Sequence, residues 1–550
     1  MTAATHARTA PAAPAPAAPR PSTLTGTGRL LRLALRRDRV RIPVWVVSIA
    51  GLVGYFAVAI PVAYPDAAAR QTRAAIMRDP SGALLSGPGY GLDDYTMGAM
   101  VTNEMLGMLA VAAALMSAFL VVRHTRAEEE IGRTDLVRAG VAGRHAPLAA
   151  GVLDALVANA AVALALVGAL VGTGLAVDGS VAVALGVAGV GVVFTGVAAV
   201  TAQVASTARA ATGSAGALVG LAFLLRGVGD AQQTGGSALS WASPIGWAQQ
   251  TRAFVDLRWW PLALHALLAV LLLVGAWALV GRRDVGAGLL TVRPGRGAAA
   301  AWLRTPLGLT ARLERTATIS WAAGLGVFGL LTGSMSPGIV DSFAAQPELA
   351  TVFGASGDDL LRGTLSAFLG FFAMAVAVFA VVTVHRLGRE ESWGRAAVVL
   401  ASAVGRPRWL LAHVGVALGG GTVLLLVCGV TLGVGAAGSV GDAGLVVDLT
   451  LAALVHLPTV ALFTVLAAAV HGAGLPSWTT WAALVASIVV GLYGPLLDLP
   501  AAVLDAAPFG LVPALPAEAF ELAPVLGVGA GAAALLGVAL VLHRRRDLRA

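Results

Sequence analysis

Residues 98–147 read GAMVTNEMLGMLAVAAALMSAFLVVRHTRAEEEIGRTDLVRAGVAGRHAP, and residues 364–408 read TLSAFLGFFAMAVAVFAVVTVHRLGREESWGRAAVVLASAVGRPR. Each stretch opens on a predominantly apolar run of the length, about 20 residues, that crosses a hydrocarbon layer as an α-helix. Each run gives way to a charged segment that carries two adjacent glutamates, Glu128-Glu129 and Glu390-Glu391, and ends at Gly-Arg. A spanning helix followed by a charged loop, written twice, predicts an all-α polytopic membrane protein.

Composition agrees. The 550 residues are 57% hydrophobic and 12% charged, with mean hydropathy +0.82. A water-soluble chain carries about a quarter charged residues, so too little polar surface is available here to cover a soluble body. All 37 basic residues are arginine. A phosphate-binding P-loop needs its lysine and Schiff-base catalysis needs an amine, so neither chemistry is available to this chain. The one cysteine, Cys428, lies in an apolar run, which excludes an intrachain disulfide and a cysteine-type zinc cluster.

Outward from the opening stretch, the 20-residue criterion predicts twelve transmembrane helices, near 43–64, 98–122, 148–174, 180–207, 211–229, 260–281, 318–337, 364–385, 409–435, 446–470, 477–497 and 524–543. Ahead of them, residues 1–25 form a Pro/Ala tract expected to be a disordered tail, and RLLRLALRRDRVRI (29–42) mixes leucine and arginine as a surface-lying amphipathic helix or a plain charged flank would. With the N-terminus cytoplasmic, 30 of the 37 arginines fall on the cytoplasmic side, the asymmetry that sets topology. Both termini are then cytoplasmic. Trp259, Trp260, Trp321, Trp409 and Trp478 are expected at span ends as an aromatic belt. Arginine without lysine, in an Ala/Gly-rich chain, suggests a high-GC bacterial genome and hence a bacterial plasma membrane.

A shift of 262 to 276 residues brings further landmarks into register. Asp38-Arg39 pairs with Glu314-Arg315, Asp93-Asp94 with Asp358-Asp359, Pro244-x-Gly246 with Pro508-x-Gly510, and Arg282-Arg283-Asp284 with Arg545-Arg546-Asp547. The domains expected are a first six-helix half (26–290, with the charged loop 123–147), a linker (291–310) and a second six-helix half (311–550, with the loop 386–408). An even number of spans per half gives two parallel repeats about a pseudo-two-fold axis along the membrane normal, with a cavity between them as the default ligand site.

In the second loop Trp393, Ala396, Ala397, Leu400, Ala403 and Val404 follow helical spacing, so the loop is an amphipathic segment suited to docking a partner. The sequence resembles the permease of a type-2 ATP-binding-cassette (ABC) exporter, in the fused two-half form of polyketide-antibiotic (tetronasin-type) exporters. The resemblance rests on Glu128-Glu-Glu-Ile-Gly-Arg133 through Val141-Ala-Gly-Arg144, on Phe223-Leu-Leu-Arg-Gly-Val-Gly-Asp230, and on Trp241-Ala-Ser-Pro-Ile-Gly-Trp247. It implies that the two charged loops are coupling helices on a nucleotide-binding subunit, involving Glu128, Glu129, Arg133, Arg144, Glu390, Glu391, Trp393, Arg395 and Arg406. It also implies two copies of that subunit, which carry the ATP and Mg²⁺, so this chain binds no cofactor and has no catalytic residue. Segments 230–258 and 498–522 would be outer re-entrant hairpins. The second half departs from the pattern at the outer rim, where Tyr493-Gly-Pro-Leu-Leu-Asp498 replaces the Arg226/Asp230 pair.

Ionisable groups inside spans are functional candidates by default. Glu104 sits among Met97, Met100, Met105, Met108 and Met116 on one helical arc, a soft surface for a lipophilic substrate with a carboxylate able to attract a cationic one. Arg226 and Asp230, spaced i, i+4, can anchor the outer rim while the arginine snorkels to the interface. Asp154 is expected to be water-exposed or helix-bonded, and His265, His413 and His456 to be packing residues without metal-ligand spacing. Gly168/Gly172 and Gly415/Gly419 are expected to let helices approach closely. The rival functions are an ion-coupled secondary multidrug transporter, which would need acidic relays near the midplane, and an intramembrane enzyme on the paired aspartates, which lack metal-motif spacing. No feature suggests nucleic-acid binding.

Overall fold

Short polar residues and prolines write the starts of several spans. Thr207 accepts a hydrogen bond from the Ala210 amide at 3.2 Å, and Thr305 one from the Gly308 amide at 3.0 Å, ahead of Pro306. Such caps satisfy amides that the first turn leaves unpaired, and proline there sacrifices no bond. The computed structural model describes residues 22–78, 80–140, 142–290, 297–345, 360–493, 500 and 507–546. Among them every regular element is a helix, and eleven helices are long and apolar enough to cross a membrane, with Trp478–Gly491 a shorter apolar helix. The protein is a multi-pass membrane protein. Its contacts divide it into two units, Met1–Pro294 and Gly295–Ala550.

The first unit begins with α1 (Thr27–Arg37) and α2 (Arg41–Ala63), followed by α3 (Ala67–Arg78) and α4 (Pro80–Leu85). Next come α5 (Met97–Glu104), α6 (Leu106–His124), α7 (Arg126–Glu130) and α8 (Arg133–Ala139). The remaining spans are α9 (Ala146–Gly172), α10 (Val177–Val204), α11 (Ala208–Gln232) and α13 (Pro261–Val280), with the short α12 (Pro244–Gln249) before the last. Leu106, Leu109, Val187 and Val190 put the centre of the core between α6 and α10. The α1 helix packs on α9, and the Gly143 and His145 amides donate to the Thr25 and Thr23 carbonyls at 2.8 and 2.9 Å.

The second unit holds α14 (Pro306–Ser334), α15 (Ser336–Ala345), α16 (Leu360–Val384), α17 (Arg386–Ser392) and α18 (Arg395–Leu400). It continues with α19 (Arg406–Val440), α20 (Gly444–Val455), α21 (Leu457–Gly472), α22 (Trp478–Tyr493) and α23 (Leu522–Arg545). Phe379, Leu410, Leu424 and Phe463 centre its core. The α14 and α19 helices touch backbone to backbone: a methyl group on Gly333 would lie 2.7 Å from the Ala436 nitrogen.

Several expectations are corrected. The helix expected over 98–122 is interrupted at Met105, while the span expected over 446–470 stands as one membrane-length stretch, Gly444–Gly472, with a one-residue interruption at His456 just before Pro458, which has no amide hydrogen to donate. The span expected at 318–337 starts at Pro306, because the Thr305 cap and proline outweigh the polar Arg312, Glu314 and Arg315. Gly168, Gly172 and Gly419 face open space, so close approach is carried instead by Gly333 and its neighbours on α14 and α19. Trp409 lies in the first turn of α19, as expected of a span end, but is buried against His413, whereas Trp321 lies within α14 instead of at its end. The tail residues 1–21, Asp79, Glu348, Asp358-Asp359, Asp498 and Asp547 lie outside the described residues.

Candidate functional site

The charged loop of the first unit folds as two short helices, α7 and α8, joined by Ile131 and Gly132, with Gly132 at φ +74°. The second unit builds the same elbow from α17 and α18, with Gly394 at φ +72°. Left-handed backbone is open to glycine without a Cβ clash. That requirement explains why Gly132-Arg133 and Gly394-Arg395 stand at the same place in both sequences.

The paired glutamates point inward. Glu128 takes Arg37 at 2.8 Å and Arg133 at 3.5 Å, while Glu390 takes Arg386 and Arg395, each at 3.5 Å. Glu129 takes Arg126 at 2.7 Å and both terminal nitrogens of Arg283 at 2.7 Å. Glu391 takes Arg546 at 3.0 Å and His471 at 3.1 Å. Arg144 donates to the Val280 and Gly281 carbonyls at 3.1 and 2.7 Å, and Arg406 donates to the Arg546 carbonyl at 2.7 Å. Each of these arginines therefore caps the carbonyl end of its unit's last span. The glutamates brace the elbow to its own bundle. Each elbow turns apolar side chains outward among charged ones: Ile131 and Leu136 beside Glu130, Arg133, Asp135 and Arg138 in the first, Trp393 and Val398 beside Arg389 and Arg395 in the second, with the Arg395 guanidinium 4.3 Å over the Trp393 ring.

At the opposite end of the first unit, Arg226 is fully buried instead of snorkelling. It lies 3.4 Å from Asp230, which also accepts from Ser240 at 2.6 Å, and its guanidinium sits 4.6 Å over Phe223. The Ser243 hydroxyl that caps α12 donates to the Ala222 carbonyl at 2.7 Å, so the segment between α11 and α13 is sewn to α11. Glu104 accepts from Arg73 at 2.9 Å and from the Tyr95 hydroxyl at 3.1 Å. Burial, then the adjacent Glu104 carboxylate, pushes the Tyr95 phenol well above its ordinary pKa. Burial works against the Arg73 charge, but Glu104 outweighs it and raises that pKa as well.

Residues 303–544 match the family described as "Multidrug efflux system permease Rv1217c, C-terminal domain". Over 538 residues the chain is 38% identical to the multidrug efflux system permease protein Rv1217c of Mycobacterium tuberculosis (strain ATCC 25618 / H37Rv), covering 96% of each chain. The chain belongs to the Rv1217c permease family.

Because that similarity runs almost end to end, both elbows and the Arg226 cluster fall within the part shared with Rv1217c. The methionine stripe does not survive as one surface. Met100, Met105 and Met116 are buried. Met108 is exposed and, with Val111, Leu115, Gly216, Val219, Gly220 and Phe223, lines an apolar cavity of about 420 Å³ between α6 and α11. Met97 instead lines a cavity of about 440 Å³ beside Thr96, Asp178 and Phe254. Asp154 is fully buried, contrary to expectation. His265 and His413 are packing residues with backbone partners, Pro244 at 2.9 Å and Trp409 at 3.0 Å.

Sequence reading misses Arg37, Arg126, Arg283, His471 and Arg546 as partners of the glutamates. A signal existed for two of them, since Arg283 and Arg546 occupy the same place in the repeated Arg-Arg-Asp motif.

Proposed function

We propose that the chain is the permease subunit of an ATP-driven ABC exporter that moves lipophilic, antibiotic- or lipid-like compounds out of a bacterial cell. Two fused six-helix halves, in the manner of tetronasin-type exporters, would each seat one copy of a nucleotide-binding subunit, which holds ATP and Mg²⁺. Both chain termini are then cytoplasmic. The observation that carries this reading is the pair of elbows, each built on a left-handed glycine, locked to its bundle by ion-paired glutamates, and turning apolar side chains outward.

The physical logic is mechanical. A partner that grips Ile131 and Leu136 moves α7 and α8, and the Glu129–Arg283 pair carries that movement to the end of α13. Separating such a pair would strand two poorly solvated charges, so the elbow and the last span move together. The second elbow does the same for α23 through Glu391 and Arg546. Closure of the ATPase subunits then biases each half between two states, a population shift driven from outside the membrane. The apolar cavity at Met108 and Phe223 is the surface we assign to the lipophilic substrate, since it offers dispersion contact and a soft thioether but little polar recognition.

The test is a mild-detergent pull-down of the tagged chain from its native membrane, compared with a Leu136→Asp/Val398→Asp variant. A stoichiometric ATPase present with the wild type and lost in a folded variant is the expected result. A chain that purifies alone, without ATPase, and transports in an ion gradient would establish the secondary transporter instead.

A further inference from the structure

Three side chains outside the braces meet at the base of the first elbow. Asp38 ends α1, His124 ends α6 and Asp154 lies in the third turn of α9. One donor atom from each lies within 4.8 Å of the other two, and all three residues are buried, the aspartates completely. His124 Nε2 bonds Asp38 Oδ2 and stands 3.6 Å from Asp154 Oδ2. Neither Asp154 oxygen receives a hydrogen bond, which is costly for a carboxylate taken out of water.

We propose that Asp38, His124 and Asp154 form a binding site for a divalent first-row transition-metal ion, of the zinc, manganese or iron(II) class, in the first unit.

Charge motivates the site. Arg123, 3.2 Å from Asp38 Oδ1, provides one positive charge against two carboxylates. His124 Nε2 bonds Asp38 and leaves Asp154, 3.6 Å away, without a hydrogen bond. A divalent ion held by Nε2 and one oxygen of each aspartate satisfies all three groups at once. Bond lengths of 2.0–2.2 Å in a tetrahedral site separate donors by about 3.4 Å, and the His124–Asp154 separation of 3.6 Å is close to that. Imidazole with two carboxylates suits zinc, manganese and iron(II), and disfavours thiophilic ions. Arg123 on the far oxygen of Asp38 is the outer partner that orients a ligating carboxylate. A cavity of about 70 Å³ lined by His124, Arg37, Glu128 and Arg133 supplies both an access path and room for a water ligand.

The second unit supports the assignment by the way it differs. His124 stands four residues before Glu128, and Arg386 stands four before Glu390. Arg386 pairs with Glu314 at 2.6 Å and Glu390 at 3.5 Å, so a fixed cation occupies the place that the imidazole holds in the first unit. The position 262 residues beyond Asp154 is Val416, so where arginine is built in, the second carboxylate is gone. One unit carries its cation covalently, and the other presents ligands for one. Bound there, the ion pins the α1–α2 corner, the base of the elbow and α9 to each other.

The experiment uses the tag-free full chain in nanodiscs, stripped with a chelator, desalted and titrated separately with Zn²⁺ and Mn²⁺. Bound metal is read by elemental analysis and stability by thermal unfolding. The expected result is one equivalent per chain for at least one of the ions, with a raised Tm. Asp154→Asn, which keeps the packing, should weaken binding by about tenfold or more. The double variant His124→Arg/Asp154→Val copies the second unit and should abolish binding while keeping the Tm of the metal-loaded protein. Absence of stoichiometric metal from the wild type, or binding unchanged in both variants, overturns the proposal.

Discussion

Arg283 places one terminal nitrogen on each carboxylate oxygen of Glu129, both at 2.7 Å. The fork also reaches Gln203 through its Nε at 2.8 Å, so one side chain ties the elbow, the end of α10 and the segment after α13. Planar two-point bonding of this kind fixes direction as well as distance, which a lysine ammonium would not do. In the second unit Arg546 and Glu391 stand in the same relationship, with His471 added as a third member. The glutamates thus tie each elbow to the segment after its unit's last span, and the exposed apolar residues beside them are left free of that bracing.

Glu129→Gln leaves Arg126 and Arg283 without their counter-charge at a site where the Arg283 side chain is only 7% exposed. Removing one member of such a pair costs about 3 kcal/mol. The Tm of the purified variant should fall clearly, whereas Glu128→Gln, whose partners Arg37 and Arg133 are 31% and 58% exposed, should shift it little. Equal Tm losses for the two variants would contradict the distinction between an inner and an outer brace.

Gly132→Ala and Gly394→Ala isolate the backbone term. Each glycine has φ near +70° and no atom within 4 Å of an added Cβ, so sterics with neighbours contribute nothing. The cost of forcing an L-residue into this region is about 1–2 kcal/mol. Asparagine tolerates the conformation better, so the thermal stability of Gly132→Asn should lie between that of wild type and Gly132→Ala. If alanine is as stable as glycine at both positions, the elbows are not held in the left-handed turn.

The membrane fold is legible in the sequence because a span needs only length and apolarity, and α9, α10 and α13 fall within three residues of where those criteria put them. The interruption at Met105 is not legible: no proline marks it, Gly107 two residues on is an ordinary occupant of a span, and an unbroken helix would satisfy the same apolar pattern. The elbows are half legible. The repeated Glu-Glu and Gly-Arg reveal that something is built twice, but not that the glutamates face inward, since Glu129 and Arg283 are 154 residues apart. The Asp38–His124–Asp154 cluster leaves no local spacing at all, because each ligand comes from a different helix end or turn.

His145 gives a pH prediction whose sign is fixed by its surroundings. It precedes α9, stacked on Trp277 with ring centroids 4.3 Å apart, and burial, with Arg144 adding to it, lowers its pKa below the usual 6.5 despite a backbone hydrogen bond. The unfolded chain therefore takes up a proton first as pH falls. The stability that neutral His145 contributes is complete above pH 6.5 and is lost progressively down to the depressed folded value. Between about pH 7.5 and 5.5 the wild-type Tm should drop more than that of His145→Gln. Parallel Tm curves for the two proteins would show that this ring is not a proton-linked contact.

The cavity between α6 and α11 can be filled without disturbing the bundle. Gly220 lies on its wall, and an added Cβ there meets no atom within 4 Å. Gly220→Ala should raise stability by about 0.5–1 kcal/mol, through reduced backbone freedom in a helix, and leave transport intact. Gly220→Phe places a ring against Met108 and Phe223 and occupies the space assigned to a lipophilic substrate. Efflux of a bulky lipophilic dye from reconstituted vesicles should then be lost while Tm stays at or above the wild-type value. A Gly220→Phe protein that exports the dye at the wild-type rate would remove this cavity from the substrate path and leave the one at Met97 and Phe254 as its replacement.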